Sequence, residues 1–490
     1  MTRDNAPSPA TGSAQESHYE HLANTPFPGG YPTAGSIQQL KDELIFQRAV
    51  QCYLWALPVL NMYGMKDGSE KTFGAGYNVL PIFKDRLNAK TLVTTPNSDV
   101  IYAMGYVDLK DDGPLVIEVP PGLQGILDDF FQRPICSEEQ IEGRTWCGDV
   151  GLPGPDHGKG AKYLLLPPDF QGAVPKGYLT FRSRTYGVFV FWRGFFKDPK
   201  KLEEPVHVME QTKIYPLGKE SSAKPMQFPN ASAQPANLLY ATDGTAFDVL
   251  SRFVDHEYAD PADKEMRGML ATIGIIKGQK FEPDAHLKKL LDLAARTAAH
   301  IGHGTSYDPS PTLTNGYWYK DRQWINVFPG NATFTGDTFN YIDPRTGFFT
   351  YAYSTSPGMA ANMVDVGAKY PTTYKDADGN FLMGENYYQL HLPKDIPAAL
   401  FWSVTVYDSL TASGLDNGQP FPSLNTMDKP AMNTDGSTDI YFGPDAPANG
   451  SRNWIRSVPD KGFFVILRLY GPKQEFFDKA WIPSDVEKIK

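Results

Sequence analysis

Apolar residues at Ile37, Leu40, Leu44, Ile45 and Ala49 recur at helical spacing, and Ser36 with Gln39 has the form of a capping box ahead of them. The spacing predicts a helix over 36–57, stopped by Pro58, within an N-terminal helical segment 36–66. From Leu80 onward the period shortens to that of strands. Short apolar runs at 92–95, 100–109, 115–119, 163–166, 178–184 and 188–192, separated by Pro and Gly pairs, predict an all-β unit over 67–210 that closes or nearly closes into a barrel. Helical spacing returns at Phe247, Leu250 and Val254 and again at Leu287, Leu290, Leu291 and Ala294, with Asp284 placed to cap the later helix. Residues 211–310 therefore read as a helical linker. Beyond Pro311 the runs 348–354, 387–392, 400–407, 439–442 and 463–469 are strands, and Asp378-Gly379 and Asp435-Gly436 are hairpin signals. The expected fold class is mainly β: an N-terminal β-barrel-like domain, a helical linker and, over 311–490, a C-terminal jelly-roll-like β-sandwich.

Composition narrows the function classes. A chain of 490 residues suggests two or three domains, and 44 Gly with 41 Pro suits many short strands joined by turns. The formal net charge of −10 argues against nucleic acid and against an anionic membrane surface as partners. Residues 1–35, rich in Ser, Thr, Pro, Ala and Gly, read as a flexible leader without the basic and apolar stretches of a signal peptide. The expected location is the cytoplasm, with the periplasm or secretion open if a signal peptide has been removed. Cys52, Cys136 and Cys147 are too widely spaced for a disulfide framework or a metal finger, and Cys147, beside Asp149, reads as a packing residue.

Two strings are more specific than any of this: Thr94-Thr95-Pro96-Asn97-Ser98-Asp99, and Asn453-Trp454-Ile455-Arg456 running into Phe463-Phe464-Val465-Ile466-Leu467-Arg468-Leu469-Tyr470-Gly471-Pro472. With Asp149 to Asp156, Lys162 to Pro168, Phe191-Trp192-Arg193, Phe401 to Asp408 and Leu415 to Pro420, the chain resembles the paired bacterial domains of unknown function 1254 and 1214. The resemblance covers about residues 40–205 and 310–490. It implies a β-barrel-like domain, a helical linker and a β-sandwich, and it brings no established catalytic set.

Candidate chemistry gathers first on the turn Pro96 to Asp99, which projects an amide, a hydroxyl and a carboxylate, although such residues also bond their own backbone. Arg193 ends an apolar strand and needs a partner, for which Asp99 or Asp129 would serve. A site in the barrel mouth would then use Asp99 and Arg193 as catalytic residues and Asn97, Tyr102, Asp129 and Trp192 as substrate-binding ones. Arg468, on one face of an alternating strand, needs an acid such as Asp408 or Asp439. The glycine-rich loop 151–160 lacks the ending and helix of a P-loop. His300 and His303 could share a helix face and clasp a divalent metal, although histidines also collect at helix C-termini. No nucleophile elbow or dinucleotide fingerprint is present, so no organic cofactor is expected. The leading expectation is a small-molecule enzyme, a hydrolase or lyase. The alternatives are a glycan-binding or oligomeric assembly protein, using the aromatic run of Tyr317-Trp318-Tyr319, Trp324, Tyr387-Tyr388, Trp402 and Trp454, and a metal-dependent enzyme. The expected partners are a small molecule or carbohydrate and further copies of the chain.

Overall fold

The computed structural model describes residues 12–309 and 316–489. With 27% helix and 24% strand in several sheets and no closed barrel, the protein is mixed α/β, not mainly β. Part of the excess helix lies at the start. Gly12–Ala23 forms α1 within the stretch expected to be a flexible leader, and His18 anchors it to Glu43 at 3.5 Å. Residues 1–11 of that leader lie outside the described residues. Pro58 does not stop the chain's helical path: α2 (Ala34–Trp55) bends at Ala56 into α3 (Leu57–Phe73), with Pro58 in its first turn. A proline is tolerated there because that N–H has no helical acceptor in any case. The N-cap of α2 is Thr33, whose side chain accepts from the Ser36 N–H at 3.1 Å.

The first domain contains β1 (Ile101–Asp108), β2 (Leu115–Val119), β3 (Gln124–Asp129), β4 (Cys136–Ser137), β5 (Asp149–Gly151), β6 (Ala161–Leu166), β7 (Leu179–Arg182), β8 (Gly187–Gly194), the helix α4 (Glu203–Met209) and β9 (Lys213–Pro216). They form two sheets, β1-β8-β3-β5 and β4-β7-β6-β2-β9. The sheets pack face to face through Val107, Leu127, Val190 and Trp192 on one side and Leu115, Ile117, Tyr163 and Phe181 on the other. Closure into a barrel would need hydrogen bonds between edge strands that these two sheets do not share. A disulfide joins Cys136 to Cys147, two cysteines read from sequence as separate thiols. They are 11 residues apart along the chain but paired across a bridge in space.

Residues 211–310 are only partly the helical linker expected. Up to Asn237 the chain runs extended over the first domain, bridging Val79, Ile82 and Leu92. The helices α5 (Ala246–His256), α6 (Lys264–Thr272) and α7 (Ala285–Tyr307) follow, and Asp284 caps α7 by accepting from the Leu287 N–H at 2.8 Å. Residues 348–354, expected as a strand, belong largely to helix α8 (Ile342–Tyr351), followed by the short α9 (Pro357–Ala360). Aromatic, β-branched runs can take either form, and here packing against α7 decides.

The second domain holds β10 (Ala368–Lys369), β11 (Thr372–Thr373), β12 (Tyr388–Leu392), β13 (Ala398–Asp408), β14 (Ser423–Asn425), β15 (Thr438–Gly443), β16 (Trp454–Arg456), β17 (Phe463–Pro472) and β18 (Val486–Lys488). One sheet runs β10-β17-β13-β14 with β11 also on β17, the other β16-β15-β12-β18. Val404, Val406, Val465 and Leu467 of the first meet Leu390, Ile440, Phe442 and Ile455 of the second, which makes a sandwich. The β15–β16 pair is parallel, a pairing that the all-antiparallel jelly roll does not contain. Trp324 and Trp402, part of the aromatic run offered as a glycan platform, are buried in this core.

Each sandwich has one sheet with a second apolar face, and these faces look toward each other. Tyr102, Met104, Tyr106, Ile126, Phe189 and Phe191 of the first domain share a core with Phe401, Tyr407, Phe464, Ile466 and Tyr470 of the second, together with α2, α3 and α7. The functional geometry follows from this contact between domains.

Candidate functional site

Strand register puts the site together. In β1-β8-β3, Tyr102 lies opposite Arg193, and Arg193 opposite Gln124. Directly opposed residues point to the same side, so Tyr102 and Arg193 share the face turned to the second domain. Trp192, one residue earlier, must face the other way. It is buried between the sheets of the first sandwich, donates its indole N–H to Thr212 Oγ1 at 3.1 Å, and crosses Gly125, where a Cβ would come within 2.1 Å of the ring. Trp192 is therefore a core residue, not a substrate-binding one.

The opposing wall comes from β17. Alternation sends Phe464, Ile466, Arg468 and Tyr470 away from the sandwich interior and toward the first domain. Between the walls lies a cavity of about 70 Å³ that opens to solvent, lined by Thr95, Asn97, Tyr102 and Arg193 on one side and by Tyr370, Thr372, Ile466, Arg468 and Tyr470 on the other. Residues 348–359, from the end of α8 through α9, close the remaining side with Phe348, Tyr353 and Met359. The cavity lies between domains and not in a barrel mouth, and of the wall residues just named only Asn97, Tyr102 and Arg193 were candidates from sequence. Arg468 and Tyr470 could have been found from the alternation of β17, which marked them as facing away from a covered sheet.

The two arginines differ in their partners. Arg468 is held on both sides: Nη1 donates to Thr405 Oγ1 at 3.2 Å, Nη2 to the Thr95 carbonyl at 3.3 Å, and the guanidinium lies 5.5 Å from the Tyr407 ring centre. Neither Asp408 nor Asp439 reaches it, because Asp408 pairs with Lys461 and Asp439 with His391, each at 2.7 Å. The half-buried Arg193 side chain has no hydrogen bond or ion pair to any described residue, and its Nε is fully enclosed. The hydroxyls of Tyr102, Tyr353 and Tyr370 likewise have no hydrogen-bond partner among the described residues.

Asp99 and Asp129, the expected partners of Arg193, are engaged elsewhere. Asp99 is fully buried; its Oδ1 accepts from Arg86 Nη2 at 3.1 Å and from Asn425 Nδ2 of the second domain at 2.6 Å. Asp129 accepts from the Phe131 and Arg133 backbone and pairs with Arg133 Nε at 2.7 Å, closing a turn. Neither Asp99 nor Asp129 pairs with Arg193 or lines the cavity. Asn97 does line the cavity: its Oδ1 accepts from the Asp99 N–H at 2.8 Å while its Nδ2 donates to the Tyr470 hydroxyl. The turn Thr94 to Asp99 therefore both bonds itself and reaches the second domain, where Tyr407 donates to the Pro96 carbonyl at 2.6 Å. Thr95, at φ 37°, holds the left-handed backbone that lets its N–H meet Ala412 and its carbonyl meet Arg468.

Residues 77–216 match the family described as a protein of unknown function, DUF1254, and residues 367–474 match a second such family, DUF1214. The chain belongs to the proteins that carry these two domains in tandem. In these terms the turn Thr94 to Asp99 of the DUF1254 domain docks on β17 of the DUF1214 domain, so the two most specific strings of the chain meet at the cavity. No curated protein matches the chain. The crystal structure of a Vibrio parahaemolyticus protein has a similar fold, 17% identical, covering 91% of this chain and 100% of that one with a TM-score of 0.51. An uncharacterised Burkholderia cenocepacia protein aligns at 13% identity over 96% of this chain and 98% of its own, with a TM-score of 0.38.

Behind the cavity, the domains are joined by buried acids. Asp128 Oδ2 accepts from Ser354 Oγ at 2.7 Å and from the Thr355 N–H at 3.1 Å, and burial pushes its carboxyl well above the usual range. Asp149 accepts from the Gly358 N–H at 2.8 Å and is also raised by burial. His300 and His303 border a different cleft with Tyr240, Arg296 and Thr411. No group of three or more His, Cys, Asp or Glu that could hold a metal occurs among the described residues, so the pair gains no third ligand.

Proposed function

We propose that this protein binds a small carboxylate-bearing molecule in the cavity between its DUF1254 and DUF1214 domains. Arg193 carries the reading: its half-buried guanidinium has no hydrogen bond or ion pair to a described side chain, and an anion entering the cavity supplies a direct partner. Arg468, already oriented, supplies a second set of donors, and Asn97 and Tyr102 add polar groups at the same wall. The ligand would dock between domains, where binding pockets commonly lie.

The two guanidiniums would hold the charge of a bound carboxylate. The described residues lining the cavity include no carboxylate, thiol or imidazole to take a proton or activate water, so the reading is one of binding, and neither the lyase nor the hydrolase version gains support from the lining. The Cys136–Cys147 disulfide favours an oxidising compartment, and hence the exported alternative, over the cytoplasm. No helix among the described residues is long and apolar enough to cross a membrane.

The test is thermal unfolding of the full chain against a panel of small carboxylates and inorganic phosphate. A ligand at about 100 times its Kd stabilises the folded state by about 2.7 kcal/mol, which is readily seen. A carboxylate that raises the transition in the wild type but not in Arg193→Gln supports the proposal. No shift with any anion, or a shift indifferent to Arg193, overturns it.

A further inference from the structure

The lining of the cavity says more about the ligand than its charge does. Its walls are ring systems contributed by three parts of the chain: Tyr102 and Phe191 on the first sheet, Phe348 and Tyr353 at the end of α8 and just beyond it, and Phe328 and Tyr370 from the second half. Tyr102 and Phe191 stand 5.0 Å apart between centroids, and Phe191 meets Tyr353 edge-on at 5.6 Å. A sugar acid placed here would set hydroxyls on every side of its ring, more than the few polar groups of the walls can meet, and those against aromatic carbons would lose water without a replacement. A flat ring would instead complete the edge-to-face and offset contacts that these side chains already make. The unpaired hydroxyls of Tyr102, Tyr353 and Tyr370 can then meet one or two polar substituents on that ring.

We infer that the ligand is a planar aromatic carboxylate, its ring between the two sheet faces and its acid group between Arg193 and Arg468. The inference rests on the reading of the cavity as an anion site and narrows it to one chemical class.

Isothermal titration of the full-length protein with benzoate, 4-hydroxybenzoate, cyclohexanecarboxylate and glucuronate separates the two levels. Benzoate or 4-hydroxybenzoate is expected to bind about 3- to 10-fold more tightly than cyclohexanecarboxylate, the range that aromatic contacts provide. Glucuronate is expected to be weakest. Tyr370→Leu removes a half-exposed ring and is expected to bring the benzoate to cyclohexanecarboxylate ratio close to one, a change that a general loss of folding would not produce. If glucuronate or cyclohexanecarboxylate binds as well as benzoate and Arg193→Gln still abolishes binding, the aromatic class is wrong and the anion site stands. If none of the four binds, or binding survives Arg193→Gln, the anion site falls as well.

Discussion

The two walls of the cavity are both sheet faces carrying one arginine, yet they are built to different ends. On the second domain, Arg468 is braced by Thr405, by the Thr95 carbonyl and by the Tyr407 ring, so its position is set before anything binds. On the first domain, Arg193 stands opposite Tyr102 with no acceptor among the described residues. One arginine helps to join the domains, and the other is the one proposed to meet a ligand. Burial and partners both distinguish them: Arg468 is buried and bonded, Arg193 half-buried and unbonded.

That contrast can be broken in several ways, and the largest effect belongs to neither arginine. Asp99→Ala removes the nearer carboxylate from the buried Arg86 and leaves it only Asp428 at 3.9 Å, for an expected loss of about 3 kcal/mol or more in urea unfolding. Ligand affinity in the folded fraction should be nearly unchanged, since Asp99 lies behind the cavity. An affinity loss greater than the stability loss would return Asp99 to the site.

Arg468→Ala comes next, with about 2–3 kcal/mol of stability lost as the Thr95 carbonyl and Thr405 hydroxyl give up their donor. Binding should fall as well. Arg193→Ala is expected to change stability by less than about 1 kcal/mol, because no hydrogen bond is broken, while abolishing anion binding. If Arg193→Ala instead destabilises as much as Arg468→Ala, the distinction between the walls fails.

The smallest expected effect is a pH dependence away from the cavity, where Glu257 fastens the helical segment to the start of β8. Its carboxylate accepts from the Tyr186 and Gly187 N–H groups, and burial pushes its pKa up to about 7 against those hydrogen bonds and the neighbouring His256. A carboxyl raised on folding binds more protons in the native state, so its contribution is full below about 4.5 and is lost as pH rises through about 7. Glu257→Gln should therefore gain thermal stability relative to the wild type between pH 5 and pH 8. Calorimetry at the two pH values reads this directly, and a difference that shrinks with pH would refute the assignment.

How much of this was legible beforehand varies by element. The strands at 100–109, 115–119, 400–407 and 463–469 were readable because period-two alternation or a short apolar run bounded by turns admits few other structures. Helix α8 was not, since Phe348 to Tyr353 is equally suited to either form and only contact with α7 selects. Arg193, Asn97 and Tyr102, read from sequence as candidates, do line one cavity, but with companions other than those expected. Asp129 sat near enough in sequence to suggest a pair, and nothing in one dimension shows that it closes its own turn with Arg133.

The chain by itself determined the local rules: which runs alternate, that Arg468 faces away from its neighbours Leu467 and Leu469, that Asp284 starts a helix, and that two specific strings mark two families. These depend on spacing over a few residues, which the backbone's period of 2 or 3.6 converts directly into direction. Only the tertiary structure decided that those strings meet, that Cys136 joins Cys147, and that the cavity lies between the domains rather than inside one. Contacts such as Asn97 to Tyr470 or Asp99 to Asn425 span more than 300 residues, and no local preference encodes which of many buried polar groups will be each other's partner. That choice is made by packing two sheet faces against each other, and it alone leaves Arg193 without a partner of its own.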